Sequence, residues 1–100
     1  MKIFLFTIIF ITSSLSSLGQ VSATDWFIQG NAQLDEGEYW QAKMSYTKAI
    51  ELNLESESIY YNRSLANYSL DNISECLADL TKAIELNPNM VKALYDRGLL

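Results

Sequence analysis

The seven residues Thr47-Lys48-Ala49-Ile50-Glu51-Leu52-Asn53 return unchanged as Thr81-Lys82-Ala83-Ile84-Glu85-Leu86-Asn87, a spacing of 34 residues in a chain of 100. A period of that length marks a repeat protein, in which each unit buries its apolar face against its neighbours, and argues against a closed globular domain. Shifting the chain by the same period sets Trp26 against Tyr60, Phe27 against Tyr61 and Ala32 against Ala66. It then sets Tyr61, Arg63 and Leu65 against Tyr95, Arg97 and Leu99, so two complete units and the opening of a third are visible.

From Asp25 onward the apolar spacing is helical, and turn-forming residues interrupt it at Asp35-Glu36-Gly37, Asn53 to Ser56, Asp71-Asn72 and Asn87-Pro88-Asn89. Five helices are expected, over about 25–36, 39–53, 57–70, 73–86 and 90–100. Pro88 lacks an amide donor and disfavours helix at Asn87, so the fourth helix should stop there. Asn72 and Glu75 have the spacing of a reciprocal N-cap for that helix, and Gly37 suits a left-handed C-cap after the first. The first helix of each unit pairs a large with a small side chain at i and i+4: Trp26 with Gly30, Tyr60 with Ser64, Leu94 with Gly98. The second places Ala42, Tyr46 and Ala49, then Cys76, Leu80 and Ala83, on one inner face. Small residues let backbones approach while large neighbours fill the remaining space, which predicts antiparallel helix pairs stacked in series.

The chemistry-bearing residues are few. The chain contains no histidine, which removes the usual general base near neutral pH and the commonest metal ligand. Its single cysteine, Cys76, falls on an inward helical face, where a thiol acts as a small hydrophobe. Asp35, Glu36 and Glu38 crowd a helix junction without the spacing of a calcium loop. No catalytic group, metal site or cofactor is expected. Seven cations against twelve anions leave a net charge of −5, which argues against nucleic acid as a partner.

The N-terminal stretch differs from the rest: Lys2, then an almost wholly apolar run from Ile3 to Ile11, then a Ser/Thr-rich segment. That is the layout of a cleaved secretory signal, and the run is well short of the roughly 20 residues a spanning helix needs. The reading is a signal peptide over 1–23, a repeat domain over 24–100, a secreted or periplasmic location, and membrane contact only through the leader before cleavage.

The series Trp26, Gly30, Gly37, Tyr39, Ala42, Tyr46, Ala49 resembles the tetratricopeptide repeat, as does Tyr60, Ser64, Asp71, Ile73, Cys76, Leu80, Ala83, Pro88. The resemblance covers 23–100 and implies an all-α solenoid of antiparallel helix pairs, two complete repeats plus the first helix of a third. Leu54 stands where the family usually has proline, and Gln33 and Asn67 where it has an aromatic. The third unit has no second helix to cover it, so the array is expected to be incomplete at its C-terminus, with self-association through the uncapped end as another outcome.

Solenoids of this kind bind peptides along their concave side. On the first helix of each unit, the residues turned from the packing face are Phe27, Asn31 and Leu34, then Tyr61, Asn62, Leu65 and Tyr68, then Lys92, Tyr95, Asp96 and Leu99. Phe27, Asn31, Leu34, Tyr61, Asn62, Leu65, Tyr68, Lys92 and Tyr95 are the expected groove for a protein or peptide ligand. Family members that grip two carboxylates use lysine, asparagine, asparagine, lysine and arginine at the positions held here by Phe27, Asn31, Asn62, Lys92 and Asp96. An aromatic and an anion replace two of the cations, so that specialisation is not expected. The expected function is a noncatalytic interaction module; the alternative is the N-terminal regulatory or scaffold part of a longer enzyme or sensor.

Overall fold

The computed structural model describes residues 20–100. The expected leader lies outside these residues except for its last four positions. Five α-helices follow in order: α1 Ala23–Asp35, α2 Tyr39–Glu51, α3 Glu57–Ser69, α4 Ile73–Leu86 and α5 Val91–Leu99, with no strand among the described residues. The all-α repeat architecture read from the period is the one observed.

Local chemistry starts these helices. Ser22 accepts the Asp25 amide at 3.1 Å while the Asp25 carboxylate accepts the Ser22 amide at 3.3 Å, a reciprocal cap that satisfies two orphan donors of α1. Ser56 does half of the same job for α3, accepting from the Ile59 amide at 3.3 Å. Asn72 occupies the N-cap of α4 but makes no side-chain bond there. The expected Asn72–Glu75 cap is therefore absent, because Glu75 pairs instead with Lys43 of the preceding hairpin.

One closure ends the first three helices. The amides of Gly37, Asn53 and Asp71 donate to Leu34, Ile50 and Tyr68, and those of Glu38, Leu54 and Asn72 reach back to Gln33, Ala49 and Asn67. This double bond pattern requires a left-handed residue, and Gly37, Asn53 and Asp71 have φ of 77°, 70° and 63°. Asn87 ends the same heptapeptide as Asn53 yet is extended, at φ −142°. The next residue decides: Leu54 supplies an amide to Ala49, whereas Pro88 has none to give and forces its predecessor out of helical space.

α1 pairs with α2 and α3 with α4; α3 also packs on α2, and α5 on α4. The shared core contains Ala42, Tyr46, Ala49, Ile59, Tyr60, Tyr61, Ala66, Cys76, Leu80, Ala83, Met90 and Ala93. Two departures from the family pattern become polar contacts. Gln33 accepts the Ser45 hydroxyl at 2.6 Å, and Asn67 donates to Asp79 at 2.9 Å. Arg63 closes the second network, forking onto Asp79 at 2.9 and 2.7 Å and reaching Thr47 at 3.2 Å. Burial alone would lower the Arg63 pKa, but the Asp79 carboxylate outweighs it and the net shift is upward.

Candidate peptide groove

The groove is built from α1, α3 and α5, the first helices of successive units, and its two halves differ. In the half nearer α1, the ring of Phe27 tilts against Tyr46 with centroids 6.0 Å apart. The Tyr46 hydroxyl donates to Asn31 Oδ1 at 2.8 Å, and Asn62 Nδ2 donates to the same oxygen at 2.9 Å. Tyr46 is wholly buried, and burial pushes its pKa up to about 12. Phe27, Asn31, Leu34 and Asn62 are half-buried and committed to this packing.

In the half nearer α5, Tyr61 is buried, and its hydroxyl donates to Asp96 Oδ2 at 2.6 Å. Lys92 Nζ lies 4.5 Å from the centre of its ring, a cation–π distance. Burial, with the Asp96 hydrogen bond and charge adding to it, raises the Tyr61 pKa to about 12. Beside this cluster a cleft of about 310 Å³ opens between α3, α4 and α5. Its floor is Ser64, Cys76 and Leu80; Leu65 and Tyr68 form one wall. Asp96, Leu99 and Leu100 form the other.

The period explains why one half is closed and the other open. Ser64 and Leu80 stand 34 residues after Gly30 and Tyr46. In the first hairpin the tyrosine ring fills the wedge between helices; in the second the shorter leucine leaves that space empty. Of the residues expected in the groove, the structure brings Leu65 and Tyr68 together at the cleft. Tyr68 and Tyr95 are 58% and 68% exposed, and Lys92 is exposed over Tyr61. Spacing by itself places Ser64, Cys76 and Leu80 in the packing between helices. Their role as the cleft floor was signalled only by the change from Gly30/Tyr46 to Ser64/Leu80.

The thiol on the floor of this trough is buried. Burial, helped by Asp79 and Asp96, raises the Cys76 pKa and keeps the thiol protonated near neutral pH. No group of three or more metal-ligating side chains gathers among the described residues, and none of their helices is long and apolar enough to cross a membrane.

Comparison with known proteins bears on both fold and location. The sequence profile described as "Tetratricopeptide repeat" matches residues 26–56 and 57–90. The mitochondrial import receptor subunit TOM70 of Mus musculus is 40% identical over 89 residues, covering 84% of this chain and 14% of its own length. The protein SGT1 homolog of Oryza sativa subsp. japonica is 33% identical over 81 residues, 81% of this chain and 22% of its own length. The protein STIP1 homolog of Dictyostelium discoideum is 39% identical over 83 residues, 76% of this chain and 15% of its own length. The chain thus spans less than a quarter of each of these relatives. The similarity to a mitochondrial import receptor subunit overturns the expectation of a secreted or periplasmic protein. That expectation rested on the composition of a short apolar run, which specifies hydrophobicity and not destination.

Proposed function

The chain belongs to the tetratricopeptide repeat family, a protein–protein interaction fold, and we propose that its concave face holds an extended segment of a partner protein. The observation that carries this reading is the cleft of about 310 Å³ set beside exposed Tyr68 on the first-helix side of the stack, with exposed Tyr95 on the neighbouring first helix. Exposed rings beside an apolar cleft are what a peptide groove supplies, since each aromatic side chain buried on binding contributes about 1.5–3 kcal/mol. The module works without catalysis: it offers shape, apolar area and a few polar atoms.

Selection of a displayed library of extended peptides on the immobilised chain tests the reading. Tyr68→Ala/Tyr95→Ala is the variant of choice, because both rings are mostly exposed and their loss leaves the core intact. Tyr61 is unsuitable, being part of that core. Selected peptides should bind the double variant at least about tenfold more weakly, the equivalent of one lost aromatic contact. Equal binding to both proteins would remove the groove from the account.

A further inference from the structure

We propose that the cleft between α3, α4 and α5 is a socket for one tyrosine side chain of the bound segment, an inference that rests on the groove reading above. The first hairpin contains the precedent. There the ring of Tyr46 occupies the corresponding wedge, and its hydroxyl is held by the Asn31 amide oxygen. In the second hairpin no ring of the described residues fills the corresponding wedge, because Leu80 replaces Tyr46 and Ser64 replaces Gly30. A ring from outside restores the missing volume. The space, about 310 Å³, is at the lower edge of the roughly 300–1,000 Å³ typical of ligand pockets, a size for a side chain and not for a helix.

Charge selects the tip of that side chain. Among the described residues Asp96 is the only side-chain carboxylate on the walls; its Oδ2 accepts from Tyr61, and its Oδ1 takes no donor there. The neighbouring cation, Lys92, sits on the Tyr61 ring. Leu65, Leu80 and Leu99 supply much of the apolar lining, beside the neutral side chains of Ser64, Tyr68 and Cys76. A phenol O–H completes the free carboxylate oxygen with a charge-assisted hydrogen bond, a bare phenyl ring leaves it unmet, and an anionic tip is repelled. Asp96 stands 34 residues after Asn62 of α3, which donates to the same Asn31 oxygen that holds the Tyr46 hydroxyl; Asn31 itself is replaced by Leu65, so the acceptor left at the tip is the Asp96 carboxylate.

The probes are p-cresol, toluene and 4-methylbenzoate, which carry the tyrosine, phenylalanine and anionic tips, titrated into isotope-labelled full chain while the leucine methyl signals are followed by NMR. p-Cresol should move the methyls of Leu65, Leu80 and Leu99 saturably and bind at least about fivefold more tightly than toluene, with 4-methylbenzoate leaving them unmoved. Ser64→Gly/Leu80→Tyr, which copies the first hairpin's pair and fills the cleft, should abolish the p-cresol shifts. If that variant does not fold, Asp96→Asn serves: the preference for p-cresol over toluene should shrink and the exclusion of 4-methylbenzoate should weaken. Toluene binding as tightly as p-cresol, or p-cresol moving no methyl while displayed peptides still depend on Tyr68 and Tyr95, would overturn the socket and leave the groove standing. Failure of every displayed peptide to bind would overturn the groove and the socket with it.

Discussion

A Cβ placed on Gly30 would lie 2.6 Å from Cε1 of Tyr46, closer than real Cβ contacts come. The two residues are therefore one packing unit: the ring of α2 lies against the bare backbone of α1, and neither partner can change alone. One period later the unit is Ser64 with Leu80, a larger residue on the first helix and a smaller one on the second. The exchange roughly conserves contact along the helix pair but not the shape of the wedge beyond it, and the cleft is the difference.

Gly30→Ala should accordingly destabilise the chain, by about 1–3 kcal/mol, since Tyr46 is wholly buried and hydrogen-bonded and has nowhere to swing. Gly98→Ala, one residue before the end of α5, meets nothing within 4 Å and should be neutral or stabilising by up to about 1 kcal/mol through helix propensity. Urea unfolding of the two variants checks the contrast; equal effects would mean that the Gly30–Tyr46 approach is not a constraint.

The Arg63–Asp79 pair should be costly to break from one side. Asp79 is 4% exposed and also takes the Asn67 amide, so Asp79→Ala strands a guanidinium and an amide together and should cost about 3–5 kcal/mol. The apolar exchange Arg63→Met/Asp79→Leu should recover part of that loss, because both charge-desolvation costs disappear along with the attraction while the buried Asn67 amide stays unmet. Thermal melts of the single and double variants measure the recovery.

Leu54→Pro tests why two copies of one heptapeptide end differently. The change deletes the Leu54 amide that donates to Ala49 and should drive Asn53 from its left-handed φ of 70° to the extended conformation of Asn87. The amide–Hα coupling of Asn53 should change accordingly, with a loss of about 1 kcal/mol for the missing bond. An unchanged coupling would show that the following residue does not decide the cap.

Alkali should attack the core through the buried phenols of Tyr46 and Tyr61. Tyr46 and Tyr61 both have folded-state pKa values raised from 10 to about 12, first by burial. A raised folded pKa contributes stability that is present in full below the unfolded value and is lost as pH rises through the folded one, so the loss should run from about pH 10 to 12. Tyr61→Phe removes the Asp96 contact and should narrow this alkaline loss while lowering stability at neutral pH. Tyrosinate absorbance and helical circular dichroism followed together give the measurement.

How much of this was readable in advance depends on the range of each interaction. Helix limits, the left-handed Gly37 and the stop at Pro88 were legible, because they depend on a few consecutive residues. The cap at Asn72 was misread since its partner, Glu75, is drawn to Lys43, 32 residues away in sequence. Tyr61 shows the same limit: its spacing turns it to the concave side, but Asp96 and Lys92 from α5 fold it into the wall. Tyr68 and Tyr95 have no such neighbours and remain exposed.

The order of residues determined by itself that the chain forms stacked helical hairpins. A 34-residue period with helical apolar spacing has few other ways to bury its faces, and each hairpin needs only its immediate neighbours. Only the tertiary structure decided which part of the concave side stays open. That outcome depends on the volumes of side chains brought together from three helices, Tyr46 filling one wedge and Leu80 failing to fill the next, and no pattern read along a single helix contains that sum.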